Sequence, residues 1–262
     1  MISKNQELFR LSQGHLNLLR NCPRKFQYSY LEQLNIPTNP DQENNRTLGS
    51  QFHLLMQQQE MNLPIDGFLE VDDNLQKLVQ EFQKLAPEIF TTETNDQIFR
   101  ESEHYRTLQI QDYLITVIYD LLIADQETAQ ILDWKTYNRV PKRDDLAKNW
   151  QTKLYMYVLA KTSDYVPENI SMTYWFVQSE SNLRQISFNY DSKQHQKIEK
   201  ELTVILNNLT NWWEQYQQNQ LFPQEPVYPE ACDFCQYRLR CYNSENSSTI
   251  LPKLATIEEI AI

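Results

Sequence analysis

Glycine is scarce in this chain, with 3 residues (Gly14, Gly49 and Gly67) among 262. A loop that wraps a phosphate with backbone N–H groups needs several glycines within a few positions. The sequence therefore excludes a nucleotide site built on a Gly-rich phosphate loop, and no Walker motif or helicase segment occurs in it.

Long hydrophobic runs are missing as well. No apolar stretch approaches the ~20 residues that span a bilayer. The opening segment, MISKNQELFR, lacks the apolar core of a secretory signal. These features predict a cytoplasmic protein that has no membrane partner.

Positive charge is in the minority, with 24 Lys and Arg against 35 Asp and Glu and a net charge of -11. A protein that coats nucleic acid non-specifically needs a basic surface, so that class is disfavoured. A local basic groove remains compatible with this balance, because carboxylates that bind metal also count as negative charge.

Cysteine is rare but clustered. Cys232, Cys235 and Cys241 lie within CDFCQYRLRC, and Cys22 lies in RNCPRKFQYSY. Disulfides are disfavoured in a reducing cytosol. The cysteines could be unrelated small apolar residues, but the polar residues around the C-x2-C-x5-C cluster do not suit a packed core. The spacing favours a metal or cluster site.

Hydrophobic periodicity predicts a mixed α/β chain. Helical spacing runs through 14–34 (interrupted at Pro23), 47–60, 71–90, 146–161 and 192–220. Strand patterns occupy about 98–110, 112–124, 129–138, 169–178 and 182–190.

The segment YDLLIADQETAQILDWK reads as a hairpin whose turn is DQET. If Ala124 pairs with Ala129, the antiparallel register places Asp120 opposite Asp133, with Cβ atoms ~5 Å apart. A divalent cation between the two carboxylates would remove their repulsion. Lys135 projects from the same face as Asp133, where it could orient a water or stabilise charge on a phosphate.

A purely structural interpretation of this hairpin is also open. Asp133 and Lys135 could form a solvated pair at a sheet edge, and a register slip by one residue would turn one acid to the other face. Similarly, His53 could be a core histidine or a metal ligand. Gln151 and Tyr155 share a helix face, either as a surface and a core residue or as a polar pair lining a cleft.

Taken together, these segments resemble the PD-(D/E)XK nuclease superfamily, in its RecB-like branch. The order CPRKFQYSYL, LGSQFH, VIYD, ILDWKT, QTKLY and CDFCQYRLRC is the order of that family and runs from Ser12 to Cys241. The closest resemblance is to members with a cysteine-ligated iron–sulfur cluster, which include the AddB nuclease domain and the CRISPR-associated RecB-like exonucleases.

The resemblance implies a role for each matching residue. His53, Asp120 and Asp133 match metal ligands for Mg²⁺ or Mn²⁺, and Lys135 matches the catalytic lysine. Gln151 and Tyr155 match an active-site motif that contacts DNA. The four cysteines match the ligands of a [4Fe-4S] cluster: Cys22, Cys232, Cys235 and Cys241. Their spacing alone would also allow zinc, as the less favoured occupant.

Two further positions are weighed against the family pattern. Glu103 sits where many members carry a glutamate, and we treat it as a possible support only. Val117 stands where members often have glycine, three residues before the first metal-binding aspartate. This departure removes no catalytic atom.

The resemblance also implies a fold and a domain organisation. We expect an αβββαβ core of restriction-endonuclease type, in which a mixed sheet is flanked by helices. A single nuclease domain would cover residues 1–242, stapled by a cluster between Cys22 and 232–241, and a tail would cover 243–262.

The function implied is hydrolysis of DNA phosphodiester bonds, as an exonuclease acting on ends in repair, recombination or defence. DNA that is single-stranded or has free ends would be the substrate, and any helicase or repair partner would be a separate chain. One alternative is a non-catalytic DNA-binding or adaptor module on the same fold. A weaker one is a zinc-stabilised interaction protein without a DNA role.

Overall fold

A computed structural model describes residues 8–34, 40–65, 67, 72–90, 97–136, 140–177, 184–224 and 232–245. Most of the predicted tail, residues 246–262, lies outside this set. Within it, every helix is too short or too polar to span a lipid bilayer.

The strands follow the predicted order, with one addition at the N-terminus. Their bounds are β1 Phe9–Leu11, β2 Phe99–Ile110, β3 Tyr113–Ala124, β4 Ala129–Lys135, β5 Ile170–Phe176 and β6 Arg184–Asn189. Strand β1 was not predicted, because three residues that pair with a strand 104 positions away leave no local pattern.

The helices are α1 Gln13–Asn21, α2 Pro23–Phe26, α3 Pro40–Glu60, α4 Asp73–Leu85, α5 Pro87–Phe90, α6 Arg143–Lys148, α7 Trp150–Thr162, α8 Ser192–Gln217 and α9 Arg238–Glu245. The helical spacing over 146–161 is confirmed except at Asn149, where two helices meet and the backbone has extended φ and ψ. Its side chain accepts a hydrogen bond from Gln151 N and so begins α7.

The chain divides into two compact units. The first comprises residues 1–17 and 37–211, and the second comprises 18–36 and 212–262. The mixed sheet and the helices α3 to α7 belong to the first unit, whereas all four cysteines belong to the second.

The sheet of the first unit is mixed, as predicted. Strand β3 pairs along its length with β2, antiparallel, so β1 and β4 must share its other edge. β1 takes residues 113–115 of that edge and β4 takes 121–124, and the ladder is open between them. β4 continues into a parallel pairing with β5, which pairs antiparallel with β6. The gap between β1 and β4 is where the candidate site forms.

The predicted hairpin register is confirmed, since Ala124 pairs with Ala129 and Leu122 with Ile131. The turn is held by Asp125, whose carboxylate accepts hydrogen bonds from the backbone N–H groups of Glu127 and Thr128. An aspartate that bonds its own turn in this way is a common device for tight connections.

An apolar cluster packs α3 and α4 against the sheet. Its largest members are Phe52, Phe82, Trp134 and Trp175, and Phe82 contacts the other three rings. Helix α7 is buried almost all round, which is typical of a helix inside a core rather than on its surface.

The β2–β3 ladder is interrupted at one position. Ser102 pairs with Leu121 and His104 with Tyr119, so Glu103 and Asp120 face each other without a ladder pair. Glu103 has φ of 50°, in the left-handed region, which costs a non-glycine residue about 1–3 kcal/mol. Backbone strain of this kind persists where the surrounding structure imposes it, often at functional sites.

Candidate active site

Asp120 lies where the ladder between β3 and β4 ends. Its Oδ2 accepts a hydrogen bond of 2.7 Å from the backbone N–H of Trp134. Its Oδ1 lies 3.3 Å from His53 Nδ1 on α3. The carboxylate is thus fixed between the sheet and α3.

His53 is oriented by a backbone carbonyl. Its Nε2 lies 3.2 Å from Trp134 O, and a carbonyl can only accept, so Nε2 carries the proton. Nδ1 is left facing Asp120. Burial opposes charge on this ring, but the hydrogen bond to Asp120 and the negative charge of Asp120 and Asp133 together raise the pKa of His53. A ring held at one nitrogen by a carbonyl is the usual arrangement of a metal-binding histidine.

Glu103 completes a group of three candidate metal ligands. The ligand atoms of His53, Glu103 and Asp120 all lie within 4.8 Å of one another, and among the described residues no other group of this kind occurs. Burial and the charge of Asp120 raise the pKa of Glu103, whereas His53 lowers it. One imidazole and two carboxylates that repel each other suit a divalent cation.

Asp133 lies beside this group but is held by other partners. Lys135 Nζ contacts its Oδ1, and Gln151 Nε2 donates a 2.6 Å hydrogen bond to its Oδ2. Burial and then the charge of Asp120 raise the pKa of Asp133, which is 1% exposed, against the lowering effect of Lys135. A cation bound near Asp120 would relieve that repulsion.

Tyr155 is buried one turn after Gln151 on α7. Its hydroxyl accepts a hydrogen bond of 3.4 Å from Gln13 Nε2, and its ring packs edge-on against Tyr119. Burial, followed by the charges of Asp133 and Asp120, raises the pKa of Tyr155 well above its usual value. The hydroxyl therefore stays protonated and serves as a hydrogen-bonding group.

The start of α7 is fixed by a pair of asparagines. Asn149 Oδ1 accepts from Asn17 Nδ2 at 2.8 Å, and Asn17 Oδ1 accepts from Trp150 N at 3.0 Å. This pair sets the position of Gln151 and hence of the Asp133 carboxylate. Asn17 gave no signal in the sequence, because its partner is 132 positions away.

A cavity of about 690 Å³ opens beside this group and is lined by two of its members, His53 and Glu103. Its lining comes from one face of α3, from β2 and from the end of β4: Arg46, Gly49, Ser50, His53, Leu54, Gln57, Glu103, Trp134, Lys135 and Thr136. The candidate ligands His53 and Glu103 and the residue Lys135 thus line the same open space.

Gly49 allows α3 to approach the end of β4 closely. A Cβ built at this position would lie 3.2 Å from Thr136 Oγ1, which is tighter than ordinary contact. Thr136 directly follows Lys135 in the chain, so a displacement there moves the site.

We expect Gly49→Ala to lower the catalytic activity of this site without lowering the free energy of unfolding. Alanine favours a helix over glycine by about 1 kcal/mol, which offsets the crowding at Thr136. Thermal unfolding and turnover, measured on the same preparations, check this. The double variant Gly49→Ala with Thr136→Ser does not relieve the contact, because the hydroxyl remains, whereas Gly49→Ala with Thr136→Ala should recover activity. A drop in melting temperature that matches the loss of turnover would contradict the prediction.

The structure brings the predicted site residues together in the first unit: His53, Asp120, Asp133, Lys135, Gln151 and Tyr155. Glu103, expected only as a support, takes the third place among the metal-ligand candidates, and Asp133 instead pairs with Lys135 and Gln151. The sequence signal for Glu103 was its place in a strand that faces β3, but its φ could not be foreseen.

The second unit gathers the cysteine segments. Tyr237 packs on Tyr28, and its hydroxyl donates to Leu34 O at 2.8 Å, which joins the segment after Cys22 to the C-terminal loop. Cys241 is buried in the apolar cluster that Tyr28 and Tyr237 form, and Cys235 packs against this cluster. Burial raises the pKa of the Cys22 and Cys241 thiols, and charge on neighbouring cysteines raises it further. Thiolates at these positions would repel one another unless a bound cation or cluster held them.

The fold and the site define a class of protein. The mixed sheet and α3 bring two carboxylates, a histidine and a lysine together beside an open cavity, and such a set suits metal-assisted chemistry on a phosphate.

The sequence pattern of the PD-(D/E)XK nuclease superfamily matches residues 10–242, and the chain belongs to this superfamily. The mixed sheet with its flanking helices is the restriction-endonuclease-like fold of that superfamily, as predicted. No curated protein matches the chain significantly in sequence.

Two solved structures resemble the chain. One is a candidate exonuclease from Eubacterium rectale, 12% identical, with 97% of this chain and 95% of that chain covered and a TM-score of 0.47. The other is the protein SSO0001, 13% identical, with 91% and 88% covered and a TM-score of 0.40. Similarity this distant carries no information on substrate.

Proposed function

We propose that the chain is a nuclease that hydrolyses phosphodiester bonds of DNA with Mg²⁺ or Mn²⁺. The observation that carries the proposal is the group of His53, Glu103 and Asp120 beside the ion pair of Asp133 and Lys135, at a cavity lined by His53, Glu103 and Lys135. Membership of the superfamily supports the reaction class.

The residues of the site have separate proposed roles. A divalent cation held by His53 Nδ1, Glu103 and Asp120 would supply Lewis-acid chemistry, polarising the phosphate and lowering the pKa of a bound water. Asp133 fixes the ammonium of Lys135 at the cavity wall, where its positive charge stabilises the negative charge that develops on the phosphate. Gln151 and Trp134 O hold Asp133 and His53 in place.

The finer assignment is to the RecB-like branch with a [4Fe-4S] cluster. Support comes from the four cysteines, which share one unit and influence one another's ionisation. The spacing of the cysteines along the chain would also allow zinc, as the less favoured occupant.

Such a cluster would act as the staple of the nuclease domain proposed for residues 1–242. With 209 residues between Cys22 and Cys232, it would close a long loop. We further propose action on single-stranded or free DNA ends, as an exonuclease in repair, recombination or defence. A helicase or repair partner would be supplied by another chain.

The test is cleavage of end-labelled single-stranded and duplex DNA by anaerobically purified protein, with Mg²⁺, Mn²⁺ or chelator. Cleavage should require the metal and should be lost in Lys135→Ala and Asp133→Ala, while the product ladder gives polarity. Equal activity in the wild type and both variants would show a contaminant. DNA binding without cleavage under any metal would favour the adaptor function instead.

A further inference from the structure

Helix α3 presents a polar stripe to the cavity. Arg46, Ser50, His53 and Gln57 follow at intervals of four, three and four residues, which places them on one face of a helix. His53 belongs to the metal-ligand group, so the stripe leads along the helix from that group to Arg46.

Arg46 differs electrostatically from the other charged residues of the lining. Glu103 belongs to the metal-ligand group, and Lys135 is bound to Asp133. The Arg46 side chain is exposed and, within the part of the chain that the structure describes, makes no ion pair. It is therefore a cation at the cavity that no described carboxylate neutralises.

The negative net charge of the chain makes the positive charge of Arg46 important for binding DNA. A chain with a net charge of -11 repels a polyanion, so the approach of DNA depends on local positive charge. A guanidinium is suited to phosphate because its planar fork donates two parallel hydrogen bonds to the oxygens.

The helix geometry decides which phosphate Arg46 can reach. His53 lies seven positions after Arg46, about 10 Å along the axis at ~1.5 Å per residue. That spacing is too long for both residues to serve the same phosphate. It suits a neighbouring phosphate of the strand whose bond is cleaved.

We propose that Arg46, with the hydroxyl of Ser50 one turn away, binds a DNA backbone phosphate adjacent to the scissile one. The inference rests on the proposed nuclease function and adds the residue that sets the path of the strand over α3. Arg46 positions substrate and takes no part in the chemical step.

The test is the salt dependence of binding to a fluorescein-labelled single-stranded oligonucleotide in chelator, from 50 to 200 mM salt. Loss of one phosphate contact reduces the slope of log K against log salt by about 0.7 for a single strand. Arg46→Ala should show this reduction, with binding weakened about tenfold at the lower salt concentration. In Mn²⁺, KM should rise while kcat stays near wild type, and Arg46→Lys should recover part of the affinity.

Arg10→Ala is the matched control. Arg10 is exposed on β1, lies outside the cavity lining and carries the same charge, so its loss should leave the slope unchanged. Wild-type binding with an unchanged slope in Arg46→Ala would overturn the inference and leave the nuclease function standing. Equal reductions in both variants would overturn it as well, since the effect would be one of net charge. A wild type that neither binds nor cleaves DNA would overturn the nuclease function, and the inference with it.

Discussion

Asp120→Asn should strongly reduce metal-dependent cleavage while the fold stays intact. The amide oxygen can still accept from Trp134 N–H, and the amide NH₂ can donate to the neutral Nδ1 of His53. The substitution removes the negative charge of the Asp120 carboxylate, which would attract the divalent cation. We expect the affinity for Mn²⁺ to fall about 100-fold and cleavage to fall about 1000-fold.

Mn²⁺ titration calorimetry and a cleavage time course measure these two quantities, and a thermal melt reports the fold. Asp112→Asn is the matched control: it removes the same charge from an exposed turn after β2 and should change none of the three. Full Mn²⁺ affinity in Asp120→Asn would show that Asp120 is not a ligand, and the metal group would have to be assigned elsewhere.

If the four cysteines bind the proposed cluster, Cys241→Ser should remove it and destabilise the second unit. A link between Cys22 and Cys232–Cys241 closes a loop of more than 200 residues, which restricts the unfolded chain by about 5 kcal/mol on the loop-entropy scale. For a chain of this size that corresponds to a fall in melting temperature of about 10–20 °C. Cys22→Ser should have the same effect, because both Cys22 and Cys241 are proposed ligands of the cluster that closes the loop.

Iron, acid-labile sulfide and visible absorbance should be present in the wild type and reduced in both variants. Phe234→Ala is the control: it lies between two of the cysteines, is 94% exposed and offers no ligand, so iron content should not change. Zinc in the wild type, without iron or sulfide, would replace the cluster assignment by a zinc site. Neither metal would leave the cysteines without a shared role.

Local sequence patterns were enough for the central hairpin. Side chains alternate along a strand, and DQET supplies a turn that bonds its own backbone, so the register of Ala124 with Ala129 followed. That register carried Asp120, Asp133 and Lys135 to the same end of the sheet. Helical spacing likewise placed Gln151 with Tyr155.

Patterns of this kind failed where a side chain bonded the backbone or where pairing was remote. Asn149 divides a segment with continuous helical spacing, because its side chain caps the second helix. Strand β1 and the contact of Asn17 with Asn149 depend on partners more than 100 positions away. Neither leaves a periodic signal in its own segment.

The sequence by itself determined the class of fold, the hairpin register and the residue types available to the site. Only the tertiary structure decided that Glu103, at a φ of 50°, lies within ligand distance of His53 and Asp120, and that Asp133 contacts Lys135 and Gln151. The physical reason is that a strand pattern encodes the face on which a side chain lies. The left-handed backbone of Glu103 and the contacts of Asp133 with Lys135 and Gln151 arise only when β2, β4 and α7 come together.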